Sequence, residues 1–225
     1  MPIPILTLRL LDKKLSDMKQ MTIFFNDVKR LIKDNKELFD AEDIPLKIFH
    51  DKNIHYSGIQ LTRYRGAVEY TGIGEKEVRA LEIWYGLYCE NDGNVFRNIQ
   101  VIREYYIPAF TVDYIPYTAT NLLVKKEINE DMEKQNSTFA ICDRLEKYLY
   151  GNIKAFLIRV AGMDLKENDF ISVKVIHNEK RGLKNTFHGG KLSAYDIEFS
   201  TNVYLPQTLR LGQAVALGYG EIRHR

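Results

Sequence analysis

The chain has 225 residues, 45% hydrophobic and 28% charged, with a formal net charge of +2, which is the balance of an ordinary soluble globular protein. No apolar run approaches the ~18 residues of a membrane span, and the N-terminus lacks the long apolar region of a signal peptide. A helical membrane protein and a secreted one are therefore excluded as expectations, and the reducing cytoplasm is the expected compartment. Cys89 and Cys142 stand far apart without companion ligands, so neither a disulfide framework nor a zinc site is suggested. The length allows one large domain or two small ones of about a hundred residues.

The charge is uneven. Residues 174–225 hold eight Lys/Arg (Lys174, Lys180, Arg181, Lys184, Lys191, Arg210, Arg223, Arg225) against four acids (Glu179, Asp196, Glu198, Glu221). That segment carries +4 and everything before it −2. A basic C-terminal quarter favours a polyanionic ligand, although lysine-rich hairpins are also common as solvated edges.

In chain order, residues 3–11 read as a strand with Thr7 and Arg9 alternating among leucines. Ser16 can cap a helix whose apolar positions Met18, Met21, Phe25, Val28 and Ile32 follow helical spacing. Its other face carries Lys19, Asp27, Lys29, Arg30, Lys33 and Lys36, more in keeping with solvated surface than with a nucleic-acid contact. Residues 46–49, 59–64 and 67–73 read as strands. A second helix follows with Val78, Leu81, Tyr85 and Tyr88 on one face, stopped by Asn91-Asp92-Gly93. Residues 95–107 form a fourth strand. Strand, helix, strand, strand, helix, strand is the order of a split βαβ, ferredoxin-like unit.

The second half repeats the scheme less cleanly. Residues 110–117 are strand-like and 127–162 mostly helical, with a break or close crossing expected at Gly151-Asn152. Strands follow at 170–176 and 193–204, with a basic turn at 180–184 and a final strand at 221–223. Between those last strands lies "LPQTLRLGQAVALGYG", with Gly212, Gly218 and Gly220 and no acid. Glycine allows positive φ and close approach of a ligand to the main chain, and successive amides in such a turn can cradle phosphate oxygens. A tight C-terminal hairpin explains the same spacing. The phosphate-loop and dinucleotide patterns both fail here.

Three stretches carry a family resemblance in the right order. They are "IHYSGIQLTRYRGAVEYTGIGE" at 54–75, "YGNIKAF" at 150–156 and "FSTNVYLPQTLRLGQAVALGYG" at 199–220. In the first, Tyr56, Gln60, Gly66, Gly72, Gly74 and Glu75 are the matching positions. The chain resembles the CRISPR repeat-RNA endonucleases of the Cas-six type, in the RAMP superfamily, and its compact bacterial branch above all. The resemblance implies an α+β fold of tandem ferredoxin-like (RAMP/RRM-like) domains with a C-terminal glycine-rich loop. The domains are expected at 1–108 and 109–225.

It further implies processing of precursor CRISPR RNA without metal or cofactor, by attack of a ribose 2′-hydroxyl that leaves a 2′,3′-cyclic phosphate. Such chemistry needs a base near neutral pKa, an acid for the leaving oxygen, and cationic or amide groups on the phosphorane. Histidine suits the first role, which makes His50 the leading catalytic candidate and His55 the second. Lys180, Arg181, Lys184, His188, Lys191, Arg210, Gly212, Gln213, Gly218 and Gly220 are the expected RNA-binding residues. Repeat RNA is the expected partner, with CRISPR effector-complex proteins and a second copy of the chain as further candidates and no membrane.

Two departures from the family pattern stand out. Gln213, Ala216 and Leu217 occupy loop positions where basic and hydroxyl side chains are usual. Asp40-Ala41-Glu42 follows Leu38-Phe39 where the branch commonly places histidine. A gapped alignment brings His50 to the catalytic position, and an ungapped one leaves that position acidic. A RAMP-fold RNA binder without cleavage, and an unrelated ferredoxin-like interaction module, therefore remain alternatives.

Overall fold

The computed structural model describes the chain outside residues 15–17, 50–56, 65–66, 92–98, 136, 167–169, 188–189 and 216–217, and outside the side chains of 12–14, 18, 21, 63–64, 91, 182–187 and 190–192. The chain divides into two compact units, Met1–Ile107 with Ala216–Gly218, and Pro108–Val215 with Tyr219–Arg225.

The first unit runs β1 (Ile3–Lys14), α1 (Met18–Asp34), α2 (Lys36–Ala41), β2 (Ile59–Tyr64), β3 (Ala67–Ile73), α3 (Glu75–Asn91) and β4 (Ile99–Tyr106). Its sheet is antiparallel in the order β2-β3-β1-β4. The period-two pattern of β1 decides its faces. Leu6, Leu8 and Leu10 enter the core with Phe25, Val28 and Ile32 of α1 and Leu81, Trp84 and Leu87 of α3. Trp84 organises that core, lying edge-on to Tyr70 at 5.1 Å and stacked on Tyr88 at 5.2 Å between ring centroids.

Thr7 and Arg9 take the opposite face of β1, where the Thr7 and Thr71 hydroxyls lie 3.1 Å apart and Arg9 meets Glu69 at 2.7 Å. The strand expected at 46–49 is instead a single 3-10 turn, Leu46–Ile48. Its apolar residues serve the core as a plug, Phe49 meeting Phe39 edge-on at 5.7 Å. A short apolar run does not distinguish the two outcomes.

The Gly72–Glu75 stretch has a packing reason. A Cβ on Gly72 would lie 2.8 Å from the Glu77 carbonyl oxygen, so β3 passes directly against the first turn of α3. The Glu77 side chain itself covers Gly58, where a Cβ would meet its Cγ at 2.6 Å.

The second unit runs β5 (Ala109–Leu123), α4 (Lys126–Glu133), α5 (Thr138–Arg159), β6 (Val173–Phe187), β7 (Gly190–Tyr204) and β8 (Glu221–His224). Its antiparallel sheet has the order β6-β7-β5-β8, which repeats the spatial order of the first. Among the described residues no α-helix separates β7 from β8, where the expected scheme places its second helix. Two further expectations are corrected. Helix α5 runs unbroken through Gly151-Asn152, and the basic residues 180–184 belong to strand β6 rather than to a turn.

Burial holds the Glu77 carboxyl above the ordinary glutamate range. Between the ordinary and the raised pKa the folded chain therefore holds more protons than the unfolded chain, and stability falls as pH rises through that window. Glu77→Gln removes this effect. The variant should match the parent Tm in acid and exceed it near neutral pH, and parallel Tm–pH profiles would contradict the burial.

Candidate nucleic-acid interface

Strands β7 and β8 flank β5 and both run antiparallel to it, so they are parallel to each other and need a crossover. Residues 205–220 supply it. Leu205, Leu209, Leu211, Val215 and Tyr219 are buried, which fixes the segment against its own unit. The start is held by Tyr117, whose hydroxyl accepts the Leu205 N–H at 2.8 Å and whose ring stacks on Phe199. Burial pushes the Tyr117 phenol up to about 12, so it stays a neutral hydrogen-bonding group.

Within the segment the chain doubles back on itself. The Leu211 N–H donates to the Gly220 carbonyl at 2.9 Å, the Ile222 N–H donates to Leu209 at 3.0 Å, and Arg210 bridges Glu221. The Gln213 and Gly220 amides donate to the Leu123 and Asn121 carbonyls at the end of β5. The Gly212 amide donates to Asn152 Oδ1 at 3.1 Å, while Asn152 Nδ2 donates to the Tyr148 carbonyl at 2.7 Å. Asn152 thus joins the interior of α5 to the first glycine of the crossover. Gly212, Gly218 and Gly220 all have positive φ, at 97°, 88° and 73°. At Gly220 a Cβ would fall 1.7 Å from the Leu211 oxygen, so no other residue fits there.

This geometry bears on the expected phosphate cradle. The amides of Leu211, Gly212, Gln213 and Gly220 all have acceptors inside the protein. The glycines serve a tight internal hairpin, and any phosphate contact by these four amides would require giving up those bonds. Arg210 lies within this hairpin at 3% exposure. Asn152 was legible as a motif residue, but its role was not. The only signal was an amide side chain in the middle of an apolar helix.

The basic residues lie on the β6–β7 ribbon. β5 pairs with β7 only as far as Leu123↔Ala194, whereas β6 and β7 continue pairing to Phe187↔Gly190. The end of the ribbon therefore extends past the sheet as two strands alone. Lys184 and Lys191 sit on this extension by backbone position, while their side chains and all of His188 lie outside the described residues. Lys180 is exposed and paired with Glu133 of α4 at 2.5 Å, and Arg181 is exposed and paired with Asp196 of β7. His50 and His55 both lie outside the described residues. Among the described residues no group of three His, Cys, Asp or Glu is placed to hold a metal ion, and no helix is long and apolar enough to cross a membrane.

Asn152→Ala leaves the buried Gly212 amide without its acceptor and should cost about 1–3 kcal/mol in urea unfolding, with faster hydrogen exchange at Gly212. Asn152→Asp keeps an acceptor and should lose less. Gly220→Ala combines positive φ with an impossible Cβ and should exceed both, failing to give folded protein or losing more than about 2 kcal/mol. Equal stability of the three variants with the parent would refute the role assigned to this hairpin.

Residues 109–225 match the family model of the Cas6b C-terminal domain. Among solved structures, a CRISPR RNA processing endoribonuclease Cas6b superposes with a TM-score of 0.71 at 17% identity, with 100% of each chain covered. A second Cas6b structure gives 0.69 at 18% with the same coverage. Csf5, described as a CRISPR-Cas type IV Cas6 crRNA endonuclease, gives 0.60 at 14%, again with both chains fully covered. These likenesses bear on the fold. No curated protein sequence matches the chain. The family model spans the strands, helices and glycine hairpin of the whole second unit, and on that ground the chain belongs to the Cas6b family of CRISPR RNA processing endoribonucleases.

Proposed function

We propose that this chain binds the repeat of a precursor CRISPR RNA and cleaves it without a metal ion. The observation that carries the reading is the match of residues 109–225 to the Cas6b C-terminal domain, in a unit whose β6–β7 ribbon presents Lys184 and Lys191 beyond its sheet. Residues 1–108 and 109–225 act as two ferredoxin-like domains. The 2′-oxygen forms a bond to the adjacent phosphorus as the bond to the 5′-oxygen breaks, giving a 2′,3′-cyclic phosphate and a 5′-hydroxyl. One group removes the 2′-hydroxyl proton and another protonates the departing oxygen. His50 is assigned the leading proton-transfer role and His55 the second. Lys180, Arg181, Lys184, His188 and Lys191 hold the RNA backbone, Lys180 and Arg181 after exchanging Glu133 and Asp196 for phosphates. The Lys180–Glu133 pair is exposed, and exposed pairs are weak enough to be exchanged for phosphate, whereas Asp196 is half-buried and Arg181 makes the harder exchange.

A second reading is a repeat-RNA binder without cleavage. It is favoured by Asp40-Ala41-Glu42, whose carboxylates are occupied by Lys36 at 3.3 Å and Arg79 at 2.7 Å. Arg79 also holds the Glu42 carboxyl below its ordinary range. Glu42 is therefore not poised as a base near neutral pH.

Cleavage of a cognate repeat in EDTA separates the two readings, with the cyclic phosphate as the expected product. His50→Ala should keep RNA affinity and slow single-turnover cleavage by about 10²–10⁴-fold. Failure of the parent protein to cleave would establish the binder reading. For the ribbon, each lost phosphate contact should flatten the salt dependence of binding by roughly 0.7 log units per log unit of salt. Replacing Lys180, Arg181 and Lys184 together by Ala should therefore weaken binding and lower the slope, and an unchanged slope would remove the ribbon from the interface.

A further inference from the structure

The first unit carries a groove of about 320 Å³ between α2 and α3. Its apolar lining is Leu38 of α2, 45% exposed, with Ile83 and Leu87 of α3. Three carboxylates, Glu42, Glu82 and Glu90, rim it against one guanidinium, Arg79. Arg79 is already engaged by Glu42 and Glu82, and Glu82 also takes Arg103 at 2.8 Å. Glu90 is exposed and makes no ion pair with any described residue. An exposed ion pair of Lys76 with Asp43 at 3.0 Å also links α3 to the residues just beyond α2.

Gly86 points to what the groove is for. It lies inside α3 and lines the groove, and glycine inside a helix is unfavourable relative to alanine. A Cβ at Gly86 would meet nothing within 4 Å, so no packing among the described residues asks for glycine. The missing side chain leaves the α3 backbone open to close approach from outside, at the centre of the stripe Arg79, Glu82, Ile83, Gly86 and Glu90. That stripe has the spacing of one helix face.

We propose that this groove docks a segment of another protein that presents an apolar anchor flanked by Lys or Arg. The apolar floor takes the anchor against Gly86, and Glu90 takes the basic flank, in the manner of a helix laid in a groove. Glu90 disfavours a phosphate at its end of the groove.

The test uses the full chain and two fluorescein-labelled peptides, one with leucine and lysine at helical spacing and one with leucine and glutamate. Fluorescence anisotropy should show binding of the leucine–lysine peptide alone. Gly86→Leu fills the groove and should weaken it by about tenfold or more, and Glu90→Lys should do likewise. Gly86→Leu should melt at or above the parent Tm, and both variants should bind repeat RNA like the parent. Backbone amide NMR shifts on peptide addition should fall in α2 and α3. No peptide binding by the parent, equal binding of both peptides, or affinity unchanged in both variants would overturn the proposal. A dimer of the parent that Gly86→Leu dissolves would overturn the chosen occupant and assign the groove to a second copy of the chain.

Discussion

The second unit depends on a topological constraint. β7 and β8 must run parallel on either side of β5, and a chain that leaves one must cross the sheet to reach the other. In the first unit α3 makes the equivalent crossing between β3 and β4 and satisfies its own backbone. In the second no α-helix does so among the described residues, so crossover backbone groups such as those of Leu211, Gly212, Gln213 and Gly220 need other partners. They find them in each other, in the Leu123 and Asn121 carbonyls, and in Asn152 Oδ1. The buried leucines provide the driving force, and the glycines provide the backbone conformations that driving force requires.

That solution changes what the glycines mean. A glycine-rich stretch beside basic residues resembles an anion-binding loop because both need positive φ and close approach. Here the close approach is between the Gly220 backbone and the Leu211 carbonyl, inside the protein. The β6–β7 ribbon runs beyond β5 by a length that follows from pairing register rather than from composition.

Electrostatics separates the two surfaces. On the ribbon side, Lys180 sits in an exposed pair with Glu133, which is worth little in water and easily exchanged, and Arg181 reaches the half-buried Asp196. On the first unit, α2 and α3 carry a dense set of acids around an apolar floor, with Arg79 shared between two of them. A polyanion and a basic peptide would therefore be drawn to different surfaces of the chain.

Local periodicity and punctuation determined much of this protein. The alternation of Leu6, Leu8 and Leu10 with Thr7 and Arg9, the helical spacing through Phe25, Val28 and Ile32, and the strand–helix order of the first unit are short-range properties legible in the chain. So was the excess of positive charge in its last quarter. The nature of residues 46–49, the continuity of α5 through Gly151-Asn152, the strand state of 180–184 and the absence of a helix before β8 were decided by tertiary structure. In each case local propensity is nearly balanced, and packing or pairing supplies the difference. Phe49 is drawn to Phe39, Asn152 is satisfied at once by Tyr148 and Gly212, and Lys180 and Arg181 pair with Tyr195 and Ala194 of β7. The candidate site divides the same way. Its residue types were visible in sequence, but only the three-dimensional pairing shows which amides and cations are already engaged within the chain.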